Sequence, residues 1–264
     1  MKEKNKTRLD SLLVEKKLAQ SGNQARALIM SGRVTVDGKK VEKPGTAVKK
    51  NSEVVVEHDP RRFVSRGGLK LEKAITEFGI DIKGKVALDI GASTGGFTDC
   101  LLHFGASRVY AFDVGHGQID WKLRNDKRVI VREKINCRYL RAEDVGEKID
   151  IVTIDVSFIS LTMIVEPAVS VLADNATLIA LIKPQFEVGR KDVGAKGIVR
   201  DEGKLKEVND KILFYLSKLG FKIKGLVESP IKGSGGNRES LVCASWIAST
   251  SSPSPLETSQ VLCR

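Results

Sequence analysis

The 264-residue sequence has few of the residues that build metal centres and disulfide frameworks. It contains four cysteines, none in a C-x-x-C pair, and three histidines (His58, His103 and His116) without metal-ligand spacing. We therefore expect no metal site and no disulfide framework, as in proteins of a reducing compartment. Cys100 and Cys243 lie in apolar runs, which is typical of small core residues.

Long apolar segments are also missing. No run approaches the roughly 18 apolar residues of a membrane span. The charged first residues are not followed by the apolar stretch of an export signal. We therefore expect no membrane partner and a cytoplasmic location. Residues 249–264 are rich in serine and proline without periodicity, which predicts a disordered tail.

Positive charge is what the chain has in excess. Its formal net charge is +11, and residues 1–62 hold 15 lysines and arginines against 8 aspartates and glutamates, a net of +7. Such an excess favours a polyanionic partner, with an ordinary basic bias for solubility as the alternative. The concentration of charge in under a quarter of the chain predicts a dedicated binding module at residues 5–60.

This basic segment has the pattern of a small α+β domain. Its apolar runs are 9–18 and 25–29, with helical spacing, and 34–36 and 54–56, with β-type composition. Asp37-Gly38 is a tight-turn signal beside the first β-type run. Residues 61–68 then combine paired glycines with arginines and show no periodicity, which predicts a linker.

The segment resembles the S4 RNA-binding domain. The residues that carry this resemblance are Arg8-Leu-Asp-x-Leu-Leu and an Ala25-Arg26 helix tied to a Gly-x-Val-x-Val-Asp-Gly turn at 32–38. The resemblance implies contacts with RNA phosphates, which give salt-dependent affinity and position the partner rather than read its bases. The implied RNA-binding residues of this segment are Arg8, Arg26, Arg33, Lys39 and Lys40. An accessory protein-binding module is the alternative.

Helices and strands alternate from residue 69 to residue 248. The predicted strands are 86–90, 109–113, 129–131, 149–155, 177–183, 221–227 and 241–247, and the predicted helices are 69–78, 97–104, 161–172 and 205–219. Strands that alternate with helices of this length predict an α/β fold with a Rossmann-like, doubly wound sheet. The last two strands have only a loop between them, so we expect the last strand to be antiparallel.

A glycine-rich loop at residues 89–97 joins the first strand to its helix. Its sequence, Asp-Ile-Gly-Ala-Ser-Thr-Gly-Gly-Phe, fits neither the dinucleotide fingerprint nor the P-loop. Glycines let the backbone approach a ligand at a helix N-terminus. Asp113 ends the second strand about twenty residues later, where a carboxylate can accept hydrogen bonds from a ribose. The combination favours a cofactor that contains a nucleoside.

The loop resembles motif I of the S-adenosylmethionine-dependent methyltransferases of the FtsJ-like ribose 2′-O type. Those enzymes carry a Lys-Asp-Lys-Glu tetrad, and its positions here are Lys70, Asp155, Lys183 and Glu239. An S4 domain fused to this fold resembles the TlyA (hemolysin A) family. That resemblance implies S-adenosylmethionine as cofactor and ribosomal RNA or ribosomal subunits as partner, with a cytidine 2′-hydroxyl as target. The implied cofactor-binding residues are Asp89, Gly91, Ser93, Thr94, Gly95, Gly96, Phe97, Asp113 and Asn136. Asn136 could equally be a turn residue after its strand.

A ribose hydroxyl is a poor nucleophile, so its methylation needs a base. A lysine amine accepts a proton only when it is uncharged, and a second cation nearby favours the uncharged form. Our hypothesis makes Lys183 the base and Asp155 the group that orients it, with Lys70 and Glu239 completing the ring of hydrogen bonds. The sequence leaves open which of the two lysines loses the proton.

Further basic residues lie in predicted loops. Arg190 and Lys191 belong to the glycine-rich stretch 189–197, and Arg66 lies in the predicted linker. We expect all three to contact RNA, with ordinary surface connection as the alternative for the loop. Three other functions stay open: a catalytically silent RNA-binding or ribosome-assembly factor, a haemolysin, and a small-molecule methyltransferase. The sequence does not indicate an oligomeric state.

Overall fold

The computed structural model describes residues 6–19, 21–30, 32–56, 62–233 and 235–247. The chain divides into two compact units, with the boundary between Arg62 and Phe63. This boundary falls inside the predicted linker 61–68. The predicted tail at 249–264 lies outside the described residues, as do residues 57–61.

The first unit is a small α+β structure. Its elements are β1 (Lys6–Arg8), α1 (Leu9–Glu15), α2 (Gly22–Met30), β2 (Val34–Val36), β3 (Lys39–Lys40), β4 (Ala47–Lys49) and β5 (Val54–Val56). Strand β1 pairs with β4, and β2 lies between β3 and β5 in an antiparallel sheet. The helices bury their apolar faces together with β2, in a core that includes Leu9, Leu13, Ile29 and Val34. Strands β1, β3 and β4 were not predicted, because their sequences lack the run of valines that marks β2 and β5.

The second unit contains the larger sheet. Its strands are β6 (Val86–Ile90), β7 (Arg108–Asp113), β8 (Val129–Glu133), β9 (Ile149–Ile154), β10 (Leu172–Ile182), β11 (Phe221–Glu228) and β12 (Ser240–Trp246). Its helices are α3 (Gly67–Phe78), α4 (Gly96–His103), α5 (Trp121–Arg124), α6 (Thr162–Ala168), α7 (Pro184–Glu187) and α8 (Glu202–Lys218).

The strand order of this sheet is β11-β12-β10-β9-β6-β7-β8. Strands β10, β9, β6, β7 and β8 pair in parallel, and β12 is antiparallel to both of its neighbours. The predicted Rossmann-like sheet with an antiparallel last strand is therefore confirmed. Strand β11, at the edge, turns Lys222 and Lys224 outward, and charged side chains of this kind discourage pairing with a further strand.

Each face of the sheet is covered by helices. Helices α3, α4 and α5 pack on one face through residues such as Leu71, Leu101 and Leu123. Helices α6 and α8 pack on the other face through residues such as Ile164 and Ile212. The result is the three-layer arrangement that buries a parallel sheet on both sides. In the described part of the chain, no helix is long and apolar enough to cross a membrane.

Several element boundaries differ from the predictions. Strand β10 begins at Leu172, five residues before the predicted start, and the predicted helix 161–172 ends at Ala168. The pairing of β9 with β10 shifts register between Leu172 and Thr177. The exposed polar residues between those two positions hide the strand from a hydrophobicity pattern. Helix α3 begins at Gly67, inside the predicted linker.

Candidate active site

The carboxyl ends of three neighbouring strands bring the predicted site residues together. Gly91 follows β6, Asp155 follows β9 and Lys183 follows β10, and these strands are adjacent in the sheet. The Asp155 amide donates to the Ile90 carbonyl oxygen at 2.9 Å, which joins two of the strand ends directly. Ligands of open α/β sheets bind at this edge.

The four tetrad residues form two lysine–carboxylate pairs. The Lys70 amine, from α3, lies 2.6 Å from Glu239 Oε2, with side-chain exposures of 10% and 2%. The Lys183 amine lies 2.5 Å from Asp155 Oδ1. It also donates to Ser157 Oγ at 3.1 Å, so the hydroxyl and the carboxylate together fix the amine. The contact with Asp155 is an ion pair whose angles are not those of a hydrogen bond.

All four residues line one cavity of about 410 Å³, which we call the tetrad cavity. Its size lies within the usual range of ligand sites. The other residues of its wall are Ser65, Arg66, Gly67, Gly91, Ala92, Ser93, Thr94, Gly96, Phe97, Ser157, Phe158, Gln185, Phe186, Ile231 and Lys232. The predicted tetrad thus becomes a single site, although its outermost members are 169 residues apart in the chain.

A second cavity of about 340 Å³ adjoins the first, and we call it the cofactor cavity. The two share Gly91, Ser93, Asp155, Ser157 and Phe158. A group bound in one cavity would therefore touch the same residues as a group bound in the other. This is the arrangement that transfer of a small group between two ligands requires.

The lining of the cofactor cavity suits a nucleoside. Asp113 accepts hydrogen bonds from the Ser93 amide at 2.7 Å and the Gly115 amide at 2.6 Å, and each carboxylate oxygen keeps a lone pair for a ribose hydroxyl. Ile135, Val156 and Ile164 supply apolar surface for a base. The residues present therefore fit a nucleoside-containing cofactor.

Gly91 shows why the loop after β6 needs glycine. Its φ is +86°, a conformation that costs other residues energy. A Cβ at this position would lie 2.5 Å from the Asp155 carbonyl oxygen. A larger residue would therefore push the tetrad aspartate away from the shared wall of the two cavities.

Family models match both units of the chain. The model described as FtsJ-like methyltransferase matches residues 63–246, and the S4 domain model matches residues 7–54. The chain belongs to the FtsJ-like methyltransferase family. The predicted family is thereby confirmed, and the larger unit is the methyltransferase domain.

Similar proteins share both parts of this organisation. The chain is 43% identical to the 16S/23S rRNA (cytidine-2′-O)-methyltransferase TlyA of Mycobacterium tuberculosis, over 89% of this chain and 88% of the relative. It is 42% identical to Hemolysin A of Brachyspira hyodysenteriae, over 89% of this chain and 98% of the relative. A solved structure of a candidate hemolysin from Streptococcus thermophilus has a TM-score of 0.70 and 40% identity, and the match covers 93% of this chain and 90% of that one.

Two predicted cofactor residues of the methyltransferase domain line neither cavity. Asp89 has no exposed surface, and its carboxylate accepts hydrogen bonds from Thr98 Oγ1 at 2.7 Å and Thr153 Oγ1 at 3.0 Å. Burial raises the pKa of Asp89 to about 7. Gly95 has a φ of +94°, and a Cβ there would lie 2.2 Å from Leu123 Cδ1. Both residues therefore shape the loop, Asp89 through its two threonine partners and Gly95 through its close approach to Leu123.

The other predicted cofactor residues line a cavity. Thr94, Gly96 and Phe97 lie in the wall of the tetrad cavity, whereas Asp113 and Asn136 lie in the wall of the cofactor cavity. The Asn136 side chain also accepts a hydrogen bond from the Arg138 amide at 3.1 Å. Asn136 is thus a turn residue as well as a lining residue.

Sequence reasoning missed the residue that anchors helix α7. Glu187 is buried, and its carboxylate accepts hydrogen bonds from the Leu161 amide and from Ser160 Oγ, both at 2.7 Å. These bonds tie α7 to the start of α6 and so hold the backbone next to Lys183. A glutamate five residues beyond the end of β10 carries no recognisable signal, because its partners lie 26 and 27 residues away in the chain.

Phe158 is a second residue that sequence reasoning missed. Its side chain is 92% exposed and its φ is +65°, which is unusual for an aromatic residue. Its ring centroid lies 5.1 Å from that of Phe186, and both residues line the tetrad cavity. Exposed aromatic rings at such a place can stack on nucleic-acid bases. The only signal in the sequence is an aromatic residue three positions after the tetrad aspartate.

The predicted RNA-binding residues of the S4 unit are mostly surface groups. Arg8 is held by Asp10, which accepts from its guanidinium at 3.0 and 2.6 Å, and this pair lowers the pKa of Asp10. Arg26 donates to Asn23 Oδ1 at 2.8 Å and is exposed. Lys39 and Lys40 form the exposed strand β3. Arg33 is half-buried.

The remaining basic predictions belong to the methyltransferase domain. Arg66 is exposed and lines the tetrad cavity. Lys191 is exposed in the loop between α7 and α8. The side chain of Arg190 lies outside what the structure describes.

Proposed function

We propose that this protein transfers a methyl group from S-adenosylmethionine to a ribose 2′-hydroxyl of ribosomal RNA, with cytidine as the target nucleotide. The observation that carries this proposal is the pair of lysine–carboxylate contacts in a cavity that shares five wall residues with the cofactor cavity. The printed activity of the M. tuberculosis relative supports the choice of ribosomal RNA and of cytidine. The proposal places the protein in the cytoplasm, with ribosomal subunits as its partner.

S-adenosylmethionine, when bound, supplies a methyl group on a positively charged sulfur. Asp113 would accept hydrogen bonds from the cofactor's ribose, and Asn136 lies in the wall near the apolar surface for the base. The glycine-rich backbone at Gly91 and Ser93 lies in the wall that both cavities share. These residues would direct the reacting end of the cofactor toward the tetrad.

Lys183 is the group that would remove the proton from the 2′-hydroxyl. Its amine is fixed by Asp155 and Ser157, which restricts its rotation and points it along one direction. A base must lie within hydrogen-bond reach of the proton that it accepts. In its uncharged form, the amine would accept the 2′-hydroxyl proton while the hydroxyl oxygen takes the methyl group from the cofactor's sulfur, which would leave as a neutral thioether.

Lys70 and Glu239 would hold the target ribose. Their pair is more buried than that of Lys183 and Asp155, so it is the more rigid of the two. A rigid pair can donate to one ribose oxygen and accept from another hydroxyl. Holding the reacting oxygen in line with the methyl group supplies much of the rate enhancement of a two-substrate reaction.

RNA would be bound by basic side chains of both units. The candidates are Arg8, Arg26, Arg33, Lys39, Lys40, Arg66, Arg190 and Lys191. Contacts of lysine and arginine with phosphates weaken as salt concentration rises. The affinity for ribosomal RNA is therefore expected to fall steeply between low and physiological salt.

The test is transfer of labelled methyl from S-adenosylmethionine to purified ribosomal subunits. A 2′-O-methyl group blocks alkaline cleavage at its position, so the label should stay in an alkali-resistant dinucleotide. Lys183→Ala should abolish the label while the variant still binds cofactor. Lys222→Ala, which removes an exposed lysine on the edge strand, is the matched control and should retain wild-type turnover.

Alkali-resistant label with the wild type and Lys222→Ala, but not with Lys183→Ala, would support both ribose 2′-O-methylation and the role of Lys183. A Lys183→Ala variant with near-normal turnover would refute the assignment of the base. Absence of label on either subunit and on free RNA, despite measurable cofactor binding, would favour a catalytically silent RNA-binding factor.

A further inference from the structure

Two loops of the methyltransferase domain approach each other beside the tetrad cavity. Residues 189–200, which we call the basic loop, follow helix α7 and expose Lys191, Lys196 and Arg200. Residues 229–233 and 235–239, which we call the glutamate loop, join β11 to β12 and end at Glu239. The first loop carries candidate RNA contacts, and the second carries a tetrad residue.

Asn237 of the glutamate loop is buried between the two loops, with a relative exposure of 1%. Its side-chain Oδ1 accepts a hydrogen bond from the Val199 amide at 2.9 Å. Its Nδ2 donates to the Gly197 carbonyl oxygen at 2.8 Å. The side-chain amide therefore pairs with the basic loop at two points, as a neighbouring strand would.

The main chain of Asn237 bonds within the glutamate loop rather than to the basic loop. The Asn237 carbonyl oxygen accepts a hydrogen bond from the Gly233 amide at 3.0 Å. Gly233 packs directly against the tetrad glutamate, because a Cβ at this position would lie 2.3 Å from Glu239 Oε1. Asn237 is thus bonded to the basic loop on one side, and on the other side to the turn that surrounds the Glu239 carboxylate.

We propose that Asn237 is a positioning residue that couples RNA contact at the basic loop to the placement of Glu239 against Lys70. The proposal rests on the proposed function, since it takes ribosomal RNA as the group that contacts the basic loop. RNA phosphates bound by Lys196 and its basic neighbours would hold residues 197–199. The side-chain amide of Asn237 would then hold the glutamate loop, and the glutamate loop would hold the carboxylate.

The chemistry of the residue explains why asparagine is needed. An amide side chain can accept from the Val199 amide through its oxygen and donate to the Gly197 carbonyl oxygen through its nitrogen at the same time. Aspartate has almost the same shape but cannot donate when ionised, and it would face a carbonyl oxygen. Alanine would remove both hydrogen bonds and leave the amide of buried Val199 without this partner, which is costly. Asn237→Asp and Asn237→Ala therefore test the same contact in two different ways.

The experiment compares steady-state methyl transfer to ribosomal subunits by the wild type, Asn237→Ala, Asn237→Asp, Lys196→Ala and the double variant Asn237→Ala/Lys196→Ala. For both Asn237 variants, loss of a doubly bonded buried amide should lower kcat/KM for RNA about tenfold or more. Affinity for S-adenosylmethionine, measured by calorimetry, should stay within about twofold, because Asn237 does not line the cofactor cavity. Lys196→Ala should raise KM for RNA in the wild-type background and have no further effect in the Asn237→Ala background.

A second readout does not depend on the substrate. Hydrogen exchange should be slow at the amides of Val199 and Gly233 in the wild type, and faster at both in Asn237→Ala. Ile212→Val, a core change in α8, serves as the control for a general loss of stability, and it should lower the unfolding midpoint without changing KM or exchange at these two amides.

Each outcome decides something. The coupling would be overturned if the Asn237 variants had the same kcat/KM for RNA as the Ile212→Val control. It would also be overturned if Lys196→Ala raised KM for RNA by the same factor in the wild-type and Asn237→Ala backgrounds. A wild type that methylates no ribosomal RNA would refute the proposed function. Hydrogen exchange alone would then decide whether Asn237 joins the two loops. Faster exchange at both amides would retain Asn237 as the joint between the loops, whereas faster exchange at Val199 alone would overturn it.

Discussion

Replacing either member of the Lys70–Glu239 pair leaves the other charge buried without a partner. Lys70 Nζ lies 2.6 Å from Glu239 Oε2, and both side chains are almost entirely removed from solvent. Removal of one partner from a buried ion pair costs about 3–5 kcal/mol. Lys70→Met and Glu239→Met should therefore each lower the free energy of unfolding by about this amount.

Replacing both residues should give a different result. The double variant Lys70→Met/Glu239→Met has no uncompensated charge, and buried ion pairs replaced by apolar residues often keep their stability. We expect its free energy of unfolding to lie within about 1 kcal/mol of the wild type. It should nevertheless be inactive in methyl transfer, because the ribose-holding pair is gone. The pair's contribution to folding and its contribution to catalysis are thereby measured apart.

The assay is urea unfolding followed by tryptophan fluorescence. Trp121 and Trp246 are the two tryptophans of the chain, and both lie in the methyltransferase domain, so the signal reports on that domain. The control is Lys73→Met, which breaks the exposed pair with Glu77 on the same helix and should cost less than about 0.5 kcal/mol. Single variants at Lys70 and Glu239 that lose less than about 1 kcal/mol, or an active double variant, would refute the reasoning.

Three further outcomes are expected. Gly91→Ala places a methyl group 2.5 Å from the Asp155 carbonyl oxygen and should weaken cofactor binding in calorimetry; unchanged affinity would contradict the proposed wall. Phe158→Ala should leave the unfolding midpoint unchanged, because the ring is exposed. If the ring stacks on a base, the variant should weaken RNA binding by about 1–3 kcal/mol in a filter-binding titration. Asp89 keeps its proton up to about pH 7 in the folded state, whereas in the unfolded chain it loses it near pH 4. The stability of the wild type relative to Asp89→Asn should therefore fall by about 4 kcal/mol as pH rises from 4 to 7, and a constant difference in urea unfolding would contradict this.

The sheet of the methyltransferase domain was predictable because each strand is a nearly continuous apolar run. Strand β6 lies at the residues predicted, and β7, β8, β9, β11 and β12 differ from the predictions by at most two residues at either end. A strand that is buried on both faces leaves this mark in the sequence whatever its neighbours are. The start of β10 was not predictable, since residues 173–176 join the sheet through a register shift rather than through hydrophobicity.

The predicted site residues fall into two groups. Asp155 and Lys183 were predicted from the resemblance to the FtsJ-like enzymes, and the predicted strands 149–155 and 177–183 end at these two residues. Glu187 and Asn237 were not found, because their hydrogen-bond partners lie about 26 to 40 residues away in the chain. Asp89 was predicted as a cofactor residue, although its carboxylate turns inward to two threonines.

The sequence by itself determined the two units and most of the strand ends, because local periodicity depends on nearby residues, and its resemblance to the FtsJ-like enzymes supplied the four predicted tetrad positions. Only the tertiary structure decided how the two lysine–carboxylate pairs come to line one cavity. Glu239 precedes β12, and the position of β12 between β10 and β11 sets where this carboxylate lies. Contacts of this kind depend on the order of strands in the sheet, so Lys70 meets Glu239 across 169 residues while Lys183 meets Asp155 from the neighbouring strand.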